Sequence, residues 1–192
     1  MTQIFLSYNE VQSLARKAAR GAGLPQGVAD EIGSAALWLS ARGVDALGTV
    51  VATVDGDPRG SQAILAGQAA IDALCCGETE RISLQNRTEG LLLIGLAGAA
   101  AMDAMLPLAL ECANGDVVPL AGVPDVCSLM SDIAALRRLP DGGASVCPGT
   151  PRPAATNAAA YAAALGLAAR TYVPASEFSR ARGAGAGTTD ND

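Results

Sequence analysis

The residues best suited to chemistry gather at the end of the chain, in the closing sequence SRARGAGAGTTDND. Arg180 and Arg182 stand two residues apart, and a guanidinium group binds a carboxylate through two parallel hydrogen bonds. Gly183, Gly185 and Gly187 alternate with alanines, and an open backbone of this kind presents several amides to an anion. This pattern predicts a binding site for a small carboxylate. A flexible glycine-rich tail is the alternative.

Proton transfer in this chain has to proceed without histidine, because the sequence contains none. That absence excludes Ser-His-Asp and Cys-His catalysis and histidine-ligated metal sites. We therefore take Cys147, Glu177 and Asp190 as candidate catalytic groups. Cys147 lies in the Pro/Gly-rich stretch PDGGASVCPGTPRP, and functional residues concentrate in such loops. No metal site is predicted, and no cofactor is assigned.

The other cysteines are Cys75, Cys76, Cys112 and Cys127. Two cysteines that face each other serve as base and acid in a cofactor-independent racemase, provided that their pKa values are lowered. For Cys75, Cys112 and Cys127 we favour packing in the core as small hydrophobic side chains. The odd number of cysteines, the absence of CxxC pairs and the lack of a secretory signal predict a reduced, cytoplasmic protein.

Three further stretches offer chemistry, each with a simpler alternative that we favour. Asp55 and Asp57 follow an apolar run and suit Mg²⁺, but Asp-Gly is ordinary turn chemistry. Lys17 is the only lysine and the only candidate for a Schiff base, and we expect it to be exposed. LLLIGLAGAAAM (91–102) suits a nucleotide cradle but lacks the full glycine fingerprint, and it is too short to span a membrane. We predict that it is buried core.

Composition limits the partners of this protein. The net charge is -6, and the 13 cationic residues are scattered along the sequence, so we exclude nucleic acid as a partner. Hydrophobic residues make up 50% of the chain but aromatic residues only 3%. The core must therefore be built from small aliphatic side chains that bury little area each. We expect a subunit interface to add burial, and hence a homo-oligomer.

The elements that position these groups begin with a helical hairpin over residues 7–43. Ser7 and Glu10 have the spacing of a capping box, in which each residue's side chain accepts from the other's backbone amide. Pro25 suits the start of a second helix, and Gly43 suits its end. We expect these two helices to pack against each other.

The remaining pattern predicts an α+β or mixed α/β domain over residues 1–175. Residues 176–192 are then a C-terminal segment that packs on this body or on a partner subunit. Asn114-Gly115 between two apolar runs is the strong signal of an antiparallel hairpin. The other predicted elements are strands at 47–54, 82–84 and 91–96, helices at 61–75 and 129–138, and an Ala-rich helix at 157–172.

Two resemblances add to these predictions. ARKAARGAG, SARGV and the closing TYVPASEFSRARGAGAGTTDND resemble an uncharacterised bacterial family defined only as a domain of unknown function. That resemblance covers most of the chain and implies a soluble bacterial protein, with no established reaction.

Residues 6–44 also resemble the opening helical pair of the type-two malate/L-lactate dehydrogenases. In that family an acidic residue and a Ser-His-Gly segment follow, whereas this chain continues Val44-Asp45-Ala46-Leu47-Gly48. This second resemblance implies a shared helical hairpin and no catalytic residue.

Two functions are consistent with the sequence. In the first, the protein binds or transforms a small organic or amino acid, with Arg180 and Arg182 clamping its carboxylate. In the second, it is a non-catalytic accessory or assembly protein that docks through its C-terminal segment. The sequence leaves open whether the protein is an enzyme.

Overall fold

A computed structural model describes residues 2–54, 58–84, 89–129, 132–140 and 150–172. Helices and antiparallel strands both occur in it, so the predicted α+β fold is confirmed. The helices of the described residues are α1 (Tyr8–Gly21), α2 (Gln26–Ser40), α3 (Ala46–Val54), α4 (Pro58–Cys76), α5 (Gly90–Asp103) and α6 (Ala158–Ala169). The strands are β1 (Gln3–Leu6), β2 (Arg81–Ser83), β3 (Leu108–Cys112), β4 (Val117–Pro119), β5 (Ile133–Arg138) and β6 (Ala154–Asn157).

The N-terminal hairpin forms as predicted. Ser7 Oγ accepts a hydrogen bond from the Glu10 amide at 3.2 Å, and Glu10 Oε2 accepts one from the Ser7 amide at 2.7 Å. This capping box satisfies amides that the first turn of α1 leaves without helical partners. Helix α1 then buries Val11, Ala15 and Ala18, and it packs along α2. Helix α2 also contacts α3 and α5, which places it inside the helical layer.

The strands form two separate antiparallel sheets. One pairs β1 with β6, and the other has the order β2-β5-β3-β4. Strands β3 and β4 form the predicted hairpin, with Gly115 in the left-handed region at φ +91°. Glycine adopts this conformation without the steric cost that a Cβ would add. A short 3-10 helix, Leu120–Gly122, follows β4 and contacts α5.

The prediction of a strand at 47–54 is wrong, because these residues form α3. Valine and threonine favour strands only weakly, and context overrides the preference. Here Asp45 Oδ1 accepts from the Gly48 amide at 2.8 Å and so caps the start of the helix. Leu47, Val50 and Val54 then share one buried face at helical spacing.

The predicted strand at 91–96 is also wrong. LLLIGL and the following AGAAAM belong to one continuous helix, α5, whose residues are buried nearly all round its first three turns. A helix that is buried on every side loses the apolar–polar alternation that marks it in a sequence. The strand-turn-helix needed for a nucleotide cradle is therefore not present at 91–102, and the prediction of buried core is confirmed.

The helix predicted at 129–138 is wrong as well, since residues 133–138 form β5. Ala, Leu and Arg favour helices by a few tenths of a kcal/mol each. Strand β5 pairs with β2 on one edge and with β3 on the other. These two ladders satisfy its backbone groups and outweigh the helical preference. Within the described residues, no helix combines the length and the apolar character needed to cross a membrane.

Candidate functional site

The site residues predicted from the sequence lie outside the described residues. This holds for the candidate catalytic groups Cys147, Glu177 and Asp190 and for the paired aspartates at 55 and 57. It also holds for the predicted carboxylate clamp and its glycines, namely Arg180, Arg182, Gly183, Gly185 and Gly187. These assignments stay predictions.

The described cysteines do not form a reactive pair. Burial raises the pKa of the thiols of Cys75, Cys112 and Cys127, and nearby aspartates raise it further. A nucleophile or base would need the opposite shift. Cys112 is buried as predicted, whereas Cys75 is half-buried and Cys127 is exposed, so core packing was the wrong prediction for Cys127. Within the described residues, no three Cys, Asp or Glu side chains are grouped to hold a metal ion.

Lys17 is half-buried rather than exposed. It lines a shallow groove between α1 and α6, together with Tyr161 and Tyr172. The groove is open, and Tyr172 and Leu165 keep large exposed fractions there.

A candidate site lies beside the C-terminal end of α2. A cavity of about 270 Å³ opens beside Trp38, the only tryptophan of the chain, and Arg42, which is buried despite its charge. Tyr8 and Thr150 contribute polar groups at its wall. The rest of the described lining is apolar and consists of Leu37, Ala41, Met102, Val123, Pro124 and Pro151.

The last turn of α2 and the turn that follows it present Trp38 and Arg42 to the cavity at helical spacing. Trp38 and Arg42 are four residues apart and so lie on the same face, one turn from each other. The guanidinium carbon of Arg42 sits 3.7 Å from the centroid of the Trp38 ring. Arg42 Nη1 donates to the Trp38 carbonyl oxygen at 3.1 Å, which satisfies one of the carbonyls left free at the helix end.

Helix α5 packs closely against the Trp38 indole at Gly98. A Cβ placed on Gly98 would lie 2.2 Å from Trp38 Cε2, so only glycine allows this approach. Gly95, one turn earlier, makes the same kind of close contact with Leu39. The two glycines bring α5 against α2, and this fixes the position of the indole that lines the cavity.

Arg152 links the segments at the rim of the cavity through hydrogen bonds and an ion pair. Its amide donates to the Ala41 carbonyl oxygen at 2.9 Å, and its own carbonyl oxygen accepts from the Tyr8 hydroxyl. Arg152 Nη2 also pairs with Asp125 Oδ2 at 3.1 Å. Asp125 Oδ1 accepts from the amides of Cys127 and Ser128, at 2.9 and 3.3 Å. The loops before β6 and after β4 are thereby fastened to the ends of α1 and α2.

Arg42 carries a buried charge that the described residues leave unpaired. Only 7% of the residue is exposed, and burial lowers its pKa to about 10, so the guanidinium stays protonated at neutral pH. No described carboxylate lies within ion-pair distance of it. Its Nε and the indole Nε1 of Trp38 are both buried without a hydrogen-bond acceptor. Its Nη2 reaches only the weak acceptor Met102 Sδ, at 3.6 Å.

Comparison with known proteins gives a family match for the N-terminal part of the chain, which includes some of the cavity residues. Residues 6–55 match the model of a family described as a protein of unknown function (DUF3726). No curated protein and no solved structure matches the chain. The matched stretch runs from just before α1 to the end of α3, and it contains Tyr8, Trp38 and Arg42. The chain is thus similar to an uncharacterised family in the region that supplies the charged side of the cavity.

Sequence reasoning missed Trp38 and Arg42 as a site, although a signal for them was present. The segment WLSAR places an aromatic residue and an arginine at the i and i+4 positions of a predicted helix. That spacing favours stacking of a guanidinium on a ring. The spacing does not show that Arg42 is buried. Arginine is rarely fully buried unless it is paired, so burial is the feature that distinguishes this residue.

A second cavity, of about 210 Å³, has the opposite charge. Glu31, Asp72 and Asp103 line it between α2, α4 and α5. Burial, and then the charge of Asp72, raises the pKa of the Glu31 carboxyl. These carboxylates repel one another, and they are more exposed than Arg42.

Proposed function

We propose that this protein binds a small organic acid in the cavity at the end of α2, with Arg42 pairing with the acid's carboxylate. The observation that carries the proposal is a buried and protonated arginine that lines an apolar cavity and has no anionic partner among the described residues. The proposal covers binding.

The free-energy cost of burying the charge of Arg42 favours an anion beside it. A buried charge without a partner costs several kcal/mol, because burial removes its hydration. Stacking on Trp38 offsets part of that cost, by roughly 0.5 to 2 kcal/mol. A carboxylate that accepts from the free guanidinium donors of Arg42 would offset more, through charge-assisted hydrogen bonds of fixed geometry.

The apolar wall supports the same conclusion. Leu37, Met102, Val123 and Pro124 offer hydrocarbon surface around the cavity. Binding sites for small molecules are typically apolar clefts with a few polar groups that orient the ligand. Burying a ligand's hydrocarbon portion contributes about 25 cal/mol per Å² of apolar area.

The described lining gives reasons for binding and none for catalysis. Neither a thiol nor a carboxylate occurs among the described residues that line this cavity. The predicted transformation of a small acid by Cys147, Glu177 or Asp190 stays a prediction, as does docking through residues 176–192.

Titration with simple carboxylic acids tests the proposal. Because Trp38 is the only tryptophan, its fluorescence reports on the cavity directly. We expect 4-methylpentanoate, hexanoate or cyclohexanecarboxylate to give a saturable fluorescence change below about 10 mM, the affinity expected of a ligand this small. Calorimetry on the same samples gives the stoichiometry.

The matched variants are Arg42→Met and Arg20→Met. Methionine keeps much of the apolar volume of arginine but removes the charge, and Arg20 is an exposed arginine in the last turn of α1. We expect Arg20→Met to bind as the unaltered protein does, and Arg42→Met to bind at least tenfold more weakly. Equal binding by Arg42→Met, or no response of the unaltered protein to any of the three acids, would overturn the proposal.

A further inference from the structure

We infer that the ligand is a monocarboxylic acid with an uncharged hydrocarbon body, and that amino acids and dicarboxylic acids are excluded from the cavity. This inference rests on the proposed function and narrows it. It follows from the number, sign and position of the polar groups around the cavity.

The charged group of the described lining is the guanidinium of Arg42, and its other polar side chains are the Tyr8 and Thr150 hydroxyls and the Trp38 indole. Arg42 Nε and Trp38 Nε1 are buried without acceptors, Trp38 in the last turn of α2 and Arg42 two residues after its end. The Tyr8 hydroxyl already donates a hydrogen bond to the Arg152 carbonyl oxygen. The described lining therefore offers one cation for one anionic group, and most of its other side chains are apolar.

An α-ammonium group would lack a partner in this cavity. The carboxylate at its rim is Asp125, and both of its oxygens are in use. Oδ1 accepts from two backbone amides, and Oδ2 pairs with Arg152. An amino acid would therefore bring its ammonium to a lining whose described residues carry no carboxylate, and a charge without a partner in a mostly apolar site is costly.

A second carboxylate would meet the same difficulty. Arg42 is the only cationic side chain among the described residues that line the cavity. The next guanidinium, that of Arg152, already pairs with Asp125 at 3.1 Å. A dicarboxylate would bring a second negative charge to a lining whose other described side chains carry no positive charge.

The volume limits the size of the acid. A cavity of about 270 Å³ lies just below the range of about 300 to 1,000 Å³ that is usual for small-molecule sites. Small acids of about five to seven carbons, branched or cyclic, suit a site of this size.

Four compounds of nearly equal size separate these classes. They are 4-methylpentanoate, leucine, 4-methylpentanamide and hexanedioate, each titrated into the full chain with Trp38 fluorescence and calorimetry as readouts. We expect 4-methylpentanoate to bind at least tenfold more tightly than each of the other three. We also expect the Arg42→Met variant to lose this preference, because the preference depends on one cation.

The outcomes distinguish the inference from the proposed function. If leucine or hexanedioate binds as tightly as 4-methylpentanoate and Arg42→Met weakens both, the inference is wrong and the proposed function stands. If the uncharged amide binds as tightly as the acid, or if none of the four binds, the proposed function fails and the inference fails with it.

Discussion

The Arg42 guanidinium lies over the Trp38 ring, with its carbon 3.7 Å from the ring centroid, and it is held there by a hydrogen bond to the Trp38 carbonyl oxygen. Both residues are buried, yet each keeps a nitrogen without an acceptor among the described residues. Proteins retain such an arrangement against its cost in folding free energy where function requires it.

Arg42→Met should therefore leave the free energy of unfolding nearly unchanged or raise it. Removing a buried charge is often neutral or stabilising, by about 1 to 4 kcal/mol, while the lost stacking costs roughly 0.5 to 2 kcal/mol. Urea denaturation without added ligand measures the difference, with Arg20→Met as the exposed control. A loss of more than about 3 kcal/mol would mean that the charge of Arg42 is already paired in the folded protein.

Gly98→Ala should destabilise the protein and disturb the cavity. The added Cβ would meet Trp38 Cε2 at 2.2 Å, and overpacking of this kind costs about 1 to 3 kcal/mol. The Trp38 emission maximum should shift as the indole moves.

Gly166→Ala is the matched control for this change. Gly166 lies in α6 with nothing within 4 Å of its added Cβ, so it should gain about 0.5 to 1 kcal/mol from helix propensity. Equal effects of the two substitutions would contradict the close packing of α5 on Trp38.

Asp45→Ala should cost about 2 to 4 kcal/mol, because it removes an N-cap and leaves donors unsatisfied. The Asp45 carboxylate accepts from the amides of Gly48 and Asn157, at 2.8 and 2.9 Å, and from Thr156 Oγ1 at 2.6 Å. It thus joins the start of α3 to the end of β6. Thermal unfolding measures the loss, and Thr156→Val should show a smaller loss that is not additive with it. Additive losses would contradict a shared hydrogen-bond network.

Glu31→Gln should stabilise the protein at neutral pH. The folded-state pKa of Glu31 is raised, first by burial and then by Asp72, so the folded protein holds its proton more tightly than the unfolded chain does. Stability then falls as the pH rises from the unfolded value of 4.5 through the folded pKa, and it stays lower above that range. The gain from glutamine should therefore be present at pH 7 and vanish below about pH 4.

Glu10→Gln is a control for which the pH dependence of stability should have the opposite sign to that of Glu31→Gln. Hydrogen bonds from the Ser7 amide and hydroxyl lower the pKa of Glu10, so its contribution to stability is present at neutral pH and is lost as the pH falls through that pKa. Glutamine retains the capping geometry but loses the charge. Urea denaturation between about pH 3 and pH 8 compares the two variants. A gain for Glu31→Gln that is independent of pH would contradict the role given to its charge.

The predictions that succeeded rested on short-range signals. Ser7 and Glu10 satisfy each other's amides within one turn, and Asn114-Gly115 matches a hairpin turn without long-range contacts. The predictions that failed concerned apolar runs. At 47–54 the burial of Leu47, Val50 and Val54 on one face, together with the cap at Asp45, favours a helix, and at 133–138 pairing with two neighbouring strands favours a strand.

The candidate site also has features that follow from local sequence and features that depend on long-range contacts. The sequence by itself determines that Trp38 and Arg42 stand four residues apart near the end of a predicted helix, because that spacing is local. Only the tertiary structure decided that Gly98 admits the indole, that Arg152 ties the rim to Tyr8, and that the guanidinium is buried. Burial depends on residues far apart in the chain, and it is what turns an ordinary arginine into an unpaired charge facing an apolar cavity.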